Sequence, residues 1–339
     1  VEIEAVVEVL RSGWLVRGKV TERFERALAE ELGVKRVVCT NSCTSALYLA
    51  LKAVGVGPGH EVITTPLTFS ATANAIAMTG AKVVFADVDP ETLCLDPVCA
   101  LDAVTAKTRA ILPVHLYGNV ADLSAGDDVD IPIVTDAAQA LGAKTRWGEH
   151  ISCFSFHASK NITTGEGGAV ATDSEELAKM IDIWSQQGIR KDGVHDWQVD
   201  WGFKFQMNDI QAALGMPQLR RLKGIVQDRR HMVRRYDELL EGTDVEPVWH
   251  GPDSACNLYT VLLPRNRDKV LQAMQRRGHE VRVRYRPLHL EPFWKSSGLR
   301  LPVAEAMGER ILSLPLHADL SNDDIHAVVK DLKEVLHAA

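Results

Sequence analysis

Seven short β-rich runs alternate with stretches of helical periodicity through the first half of the chain, at residues 36–39, 61–65, 82–86, 109–114, 131–135, 152–156 and 168–172. Between them lie segments such as 44–53, whose apolar residues recur at helical rather than strand spacing. Strands separated by helices pair in parallel through crossovers, with helices covering both faces. The alternation therefore predicts an α/β fold with a mostly parallel seven-stranded sheet flanked by helices. Gly55-Val56-Gly57-Pro58-Gly59-His60 closes the 44–53 helix and turns the chain into the next strand, as one βαβ unit requires.

After Gly215 the character changes to a long Arg-rich helical stretch at 219–240, followed by strand-like runs at 258–263 and 280–285. We expect a large domain over 1–220 and a smaller α+β domain over 221–339, divided inside that stretch; 339 residues suffice for both. A net charge of −7 gives no general pull toward nucleic acid or anionic lipid, so neither is an expected partner. No apolar run has the length of a membrane-spanning helix, and the opening Val1-Glu2-Ile3-Glu4-Ala5-Val6-Val7 reads as an amphipathic helix rather than a signal peptide. Cytoplasm is the expected compartment. Val1 is not a Met and begins helix-like sequence at once, so a few preceding residues are expected. The six cysteines are scattered without a C-x-x-C pair, and the twelve histidines form no metal-ligand pattern, so no metal is expected.

The most informative segment is Ser152-Cys153-Phe154-Ser155-Phe156-His157-Ala158-Ser159-Lys160-Asn161-Ile162-Thr163-Thr164-Gly165-Glu166-Gly167-Gly168-Ala169-Val170. A strand runs into a polar turn with one lysine, and a glycine-rich turn leads into the next strand. Schiff-base chemistry with a carbonyl cofactor needs a lysine that can lose its proton, and partial burial between strands favours that loss. A surface lysine after a strand is the commoner case, and the remaining constellation decides between the two. Asp136 ends the apolar run Ile131-Pro132-Ile133-Val134-Thr135, at the strand end where α/β sheets bind ligands. It could pair with a protonated pyridine nitrogen or equally cap the next helix. Asn41-Ser42-Cys43-Thr44-Ser45-Ala46 puts hydroxyl side chains at a helix start, suited to a phosphate or to ordinary capping. Phe69, after another strand, offers a stacking face or a core residue.

Taken in order, these segments resemble the DegT/DnrJ/StrS family of fold-type I, pyridoxal-phosphate-dependent nucleotide-sugar aminotransferases. Ser12-Gly13-Trp14-Leu15, Phe69-Ser70-Ala71-Thr72-Ala73-Asn74, Pro113-Val114-His115-Leu116-Tyr117-Gly118, Asp136-Ala137-Ala138-Gln139, the Lys160 segment, Met207-Asn208-Asp209-Ile210-Gln211-Ala212-Ala213 and Leu314-Pro315-Leu316 all look like that family's blocks, across nearly the whole chain.

The resemblance implies pyridoxal 5′-phosphate as cofactor, Lys160 as its Schiff-base lysine and general base, Asp136 as partner of the pyridine nitrogen, and Gln139 as a hydrogen-bond partner of the ring hydroxyl. Cys43, Thr44 and Ser155 match phosphate-binding positions, and Phe69 matches the ring-stacking aromatic. It also implies a homodimer in which a loop resembling Trp201-Gly202-Phe203-Lys204-Phe205-Gln206 carries Lys204 to the neighbouring site's phosphate. Gln206 departs from the family's usual Arg or Asn. The implied substrates are an amino donor, glutamate, and a keto-sugar, with Trp14, Glu166 and His289 as sugar-contact candidates. A keto-cyclitol aminotransferase, a sugar dehydratase and a non-catalytic protein on the same scaffold are the alternatives. Lys160 speaks against the dehydratase, which carries His there, and intact Lys160, Asp136 and Gln139 speak against the non-catalytic protein.

Overall fold

Every residue of four strands is buried in a computed structural model that describes residues 1–124, 129–191, 193–295 and 298–338: β2 (Glu61–Thr64), β5 (Val134–Asp136), β6 (Ile151–Ser155) and β7 (Gly168–Thr172). Burial of alternate residues on both sides marks strands covered on two faces. With β1 (Arg36–Thr40), β3 (Lys82–Phe85) and β4 (Thr108–Leu112), all seven expected strands form, in the order β3-β2-β4-β5-β6-β7-β1. Neighbours from β3 to β6 are parallel, whereas β7 is antiparallel to both β6 and β1. The β4–β5 junction is sparse, made by single bridges at Ile111 with Ile133 and Val114 with Asp136. In the run expected at 131–135 the continuous strand starts at Val134; before it Ile133 makes a single bridge, and Pro132, which has no N–H to donate, contributes its carbonyl to Ile111 N–H (3.0 Å).

The strand period sorts side chains between two helical layers. Val37, Phe154 and Ala171 face a cluster with Phe24 and Leu28 of α2 (Lys19–Leu32), while Val38, Cys153 and Val170 face Leu47 and Leu51 of α3 (Cys43–Ala53). α1 (Glu2–Ser12) precedes α2, and α4 (Ser70–Met78), α5 (Pro97–Asp102) and α6 (Glu175–Ser185) follow α3. A hairpin of β8 (Ile189–Lys191) and β9 (Asp196–Gln198) comes next; Asp192, between its strands, lies outside the described residues.

The stretch expected as one helix over 219–240 is broken at Arg220 and Arg221, between α7 (Asp209–Leu219) and α8 (Leu222–Leu240). From α8 onward a separate cluster forms around Tyr236, Tyr259 and Leu332. It packs α8, α9 (Arg267–Arg276) and α11 (Asn322–Ala338) on a small sheet of β10 (Glu246–Pro247), β11 (Tyr259–Leu262) and β12 (Ile311–Leu314), with α10 (Pro302–Arg310) leading into β12. The strand expected at 280–285 is reduced to a single bridge between Arg282 and Ser313.

One contact ties the two ends of the large sheet layer together. α2 begins at Gly18 without a side chain of its own to cap it. The carboxylate of Asp209 instead accepts from the backbone N–H of Gly18 (2.8 Å), Val20 (3.2 Å) and Thr21 (2.9 Å) and from the Thr21 hydroxyl (2.7 Å). Asn208 and Gln211 meanwhile form a capping box for α7.

Candidate active site

The carboxyl ends of β5 and β6, the start of α3 and the segment 282–285 enclose a cavity of about 670 Å³. Lys160 enters it from the turn after β6. The turn is shaped by its own backbone: Phe156 N–H donates to Gly167 carbonyl (2.9 Å), Thr164 N–H to Phe156 carbonyl (2.9 Å) and Lys160 N–H to His157 carbonyl (2.9 Å). Behind the lysine, Asn161 donates to the carbonyls of Leu141 (3.1 Å) and Ala255 (3.0 Å) and accepts from Asn257 (3.1 Å), which fixes the base of the turn. Burial pushes the Lys160 amine below its ordinary pKa, against the charges of Asp136 and Cys43 and with help from Arg284. The amine thus loses its proton more readily than a surface lysine.

Asp136, the last residue of β5, is buried. Its Oδ2 accepts a 2.7 Å hydrogen bond from the Thr72 hydroxyl, which shares a 2.8 Å hydrogen bond with Thr68, and its Oδ1 accepts from Ala138 N–H (3.1 Å). Burial raises the carboxyl above its usual range, opposed by Thr72, Ala138 N–H and Lys160. Gln139 is held at both ends of its amide: Oε1 accepts from Tyr117 N–H (2.8 Å) and Nε2 donates to the Tyr285 hydroxyl (2.9 Å). Its side chain still lines the cavity.

At the opposite wall, Ser42, Cys43 and Thr44 present the start of α3 beside Ser155. Ser42 caps the helix through Ser45 N–H (3.2 Å). Among the described residues no acceptor meets the N–H of Cys43 or Thr44, and these first-turn donors with the helix dipole favour an anion. The close approach depends on Gly168, where an added Cβ would stand 2.4 Å from the Ser42 carbonyl carbon and 2.5 Å from Cys43 N. An anion-binding corner, a deprotonatable lysine and a buried carboxylate in one cavity match, group for group, the phosphate, aldehyde and ring nitrogen of pyridoxal phosphate. The residues present fit that cofactor.

Phe69, 61% exposed, stands at the rim with its ring 6.2 Å from that of Tyr285. Glu166 also lines the cavity, 3.8 Å from His157 Nε2, and its carbonyl is held by Gln211 Nε2 at 2.7 Å. Trp14 and His289 are not brought there. Trp14 lies exposed on the link between α1 and α2, its indole N–H donating to Arg17 carbonyl (3.3 Å). His289 is 2% exposed, with Nε2 3.3 Å from Glu305 and its ring beside Phe85. Lys204 is exposed and does not line the cavity of its own chain; it bridges to Gln186 in a loop where Phe203 and Phe205 stack at 4.6 Å.

Sequence reasoning did not single out Thr72, Tyr285, Arg282 or Arg284 as site residues. Thr68 and Thr72 show an i, i+4 pair of hydroxyls at a helix start, a signal for shared hydrogen bonding once α4 is placed. The alternating arginines of Arg282-Val283-Arg284-Tyr285-Arg286 were visible as a pattern, without anything local to say what they face. Among the described residues no group of three or more His, Cys, Asp or Glu is arranged to hold a metal, and no helix is long and apolar enough to cross a membrane.

Comparison with known proteins gives a family match over residues 1–333, to the DegT/DnrJ/EryC1/StrS aminotransferase family. The spore coat polysaccharide biosynthesis protein SpsC of Bacillus subtilis is 38% identical, across 100% of this chain and 95% of SpsC. The PMP form of the putative sugar aminotransferase Spr1654 from Streptococcus pneumoniae is 33% identical with a TM-score of 0.95, covering 99% of this chain and 95% of that one. Helicobacter pylori PseC, an aminotransferase involved in the biosynthesis of pseudoaminic acid, is 29% identical with a TM-score of 0.94, covering 100% of this chain and 96% of PseC.

Proposed function

Because the chain belongs to the DegT/DnrJ/EryC1/StrS aminotransferase family and is a pyridoxal-phosphate-dependent sugar aminotransferase, we propose that it moves the amino group of glutamate to the carbonyl carbon of a nucleotide-linked keto-sugar. The observation that carries this reading is the convergence of Lys160, Asp136 and the α3 start on one cavity. Pyridoxal phosphate supplies, when bound, an aldehyde and a ring that withdraws electrons while its nitrogen is protonated.

In this reading Lys160 is both the point of attachment and the base. Its Nζ would take the proton from the donor Cα and hold it for return, and the same proton movement would run in reverse when the sugar enters. Asp136, held by Thr72 and Ala138, keeps the ring nitrogen positive. Gln139 holds the ring hydroxyl, Phe69 covers the ring face, and Cys43, Thr44 and Ser155 bind the phosphate. Glu166 at the rim contacts the sugar.

The working unit in this proposal is a homodimer, with Lys204 of one chain reaching the phosphate of the partner's site. Its exposure, its absence from the cavity of its own chain and the exposed Trp197 and Trp201 nearby support that assignment.

The test is spectroscopic. Purified protein loaded with pyridoxal phosphate is expected to show a visible band that glutamate removes, and Lys160→Ala to lack both the lysine-linked band and turnover. A wild type that binds no cofactor overturns the cofactor assignments; one that binds it and ignores glutamate overturns the donor.

A further inference from the structure

Two arginines at the cavity have no part in the scheme above. Arg282 and Arg284 lie on a segment whose backbone is fixed: Arg282 N–H donates to Ser313 carbonyl (3.1 Å), Ser313 N–H donates to Arg282 carbonyl (2.8 Å), and the Tyr117 hydroxyl donates to the Arg284 carbonyl. Val281 is buried, and the four residues that follow it, Arg282 to Tyr285, all line the cleft. Their neighbour Arg286 pairs with Glu291 at 3.2 Å, but among the described residues neither Arg282 nor Arg284 makes an ion pair. A second cavity of about 270 Å³ shares Ser159, Lys160, Arg282 and Arg284 with the first, so both arginines line the same two cavities as the reactive lysine. Arg229, also on the smaller cavity, is already engaged by the carbonyls of Asn257 (3.2 Å) and Leu316 (3.1 Å). Arg282 Nη1 reaches the Val281 carbonyl at 3.5 Å and Arg284 hydrogen-bonds the side chain of Tyr285, so what both still lack among the described residues is a carboxylate. Guanidinium groups without an anionic partner in a partly desolvated cleft favour an anion, and their planar fork fits a carboxylate.

The two arginines are not equivalent. Arg284 is half-buried, and its charge acts on the Lys160 amine; Arg282 is exposed, and its charge is not among those that act there. Any amino donor carries a carboxylate one bond from the carbon whose proton Lys160 moves. We infer that Arg284 receives the α-carboxylate of the amino donor and Arg282 the distal carboxylate of a dicarboxylic donor, which makes the pair the donor-selecting element of the site. The inference rests on the proposed glutamate donor and gives that choice a basis in this chain's own residues.

The experiment compares wild-type holoenzyme with Arg284→Gln, Arg284→Lys and Arg282→Gln in two ways. The first is the half-saturating concentration of glutamate and of alanine for the cofactor's spectral change. The second is binding of maleate, a dicarboxylate without an amino group, by calorimetry. Arg284→Gln is expected to weaken both donors by about tenfold or more, with Arg284→Lys recovering part. Arg282→Gln should weaken glutamate and leave alanine unchanged. Both Gln variants should lose maleate affinity by a similar factor. Maleate and donor saturation unchanged in both Gln variants, or a loss seen only for the keto-sugar half-reaction, overturns the inference; the latter assigns the pair to a phosphate of the acceptor. A wild type that binds maleate but gives no spectral change with either donor keeps the anion subsite and sinks the proposed glutamate donor instead.

Discussion

Thr72 donates a 2.7 Å hydrogen bond to Oδ2 of Asp136 across 64 residues of sequence. Burial already raises the Asp136 carboxyl, and Thr72 is the first of the groups that oppose this. Thr72→Val is therefore expected to raise it further and to leave more of the carboxyl neutral, unable to hold a charged ring nitrogen. The donor half-reaction should slow by about tenfold, the worth of one hydrogen bond to a charged group, with a larger deficit at pH 6 than at pH 8. Thr72→Ser should retain most of the rate. An unchanged rate and pH profile in Thr72→Val would show that Asp136 does not need this donor.

Lys204 and Lys160 are assigned to different chains of one site. Homodimers of Lys204→Ala should bind cofactor phosphate more weakly, and homodimers of Lys160→Ala should be inactive. Mixed dimers of the two variants contain one site with both lysines intact, so at limiting cofactor mixing should raise activity above that of either parent. No recovery on mixing, despite exchange of subunits shown by native mass spectrometry, would place Lys204 outside the neighbouring site.

His115 and His250 are held down to about 4, chiefly by burial, from an ordinary value of 6.5. The unfolded chain binds more protons than the folded one between those values, so stability is full above about 6.5 and is lost as pH falls toward 4. Each group accounts for roughly 3 kcal/mol at most. Among the described residues the buried His250 Nε2 has no hydrogen-bond partner, and its ring stacks on Tyr259 at 6.1 Å. His250→Phe should keep the stack and flatten the pH dependence of urea stability between pH 5 and pH 7 without lowering stability at pH 7.5. A slope equal to wild type would count against burial of this ring as the source.

What the sequence made legible was whatever is written locally. The seven strand runs of the large sheet, the acid that closes β5 and the lysine between a strand and a glycine-rich turn each occupy a few consecutive residues, and the structure has an element or a cavity-lining side chain at each. Thr72 and Tyr285 join the site through contacts spanning 64 and 146 residues, and no short window holds both partners. The expected strand at 280–285 fails for a similar reason: its hydrogen bonds depend on β12, which offers it only Ser313. His289 sits in a motif that reads like a site, yet Glu305 on α10 and Phe85 on β3 draw its ring away from the cavity.

Asp209 is buried with three backbone donors and one hydroxyl on its carboxylate. Replacing it by Ala should leave the α2 start uncapped and lower stability by about 3 kcal/mol, seen as a shift in the urea midpoint, with Asp209→Asn intermediate. Loss confined to a few tenths of a kcal/mol would mean that water takes over the cap.

The antiparallel placement of β7 between β6 and β1 gives the sheet an order in time. β1 precedes every other strand of the large sheet in the chain, but its ladder partner is β7, with Arg36 opposite Thr172 and Thr40 opposite Gly168. Until residue 172 has emerged, the hydrogen-bonding edge of β1 is open, and α2 waits longer still, for Asp209. Within the large sheet, β1 thus completes its ladder only after every later strand of that sheet has been made, and an unpaired strand edge is a template for wrong pairing until then.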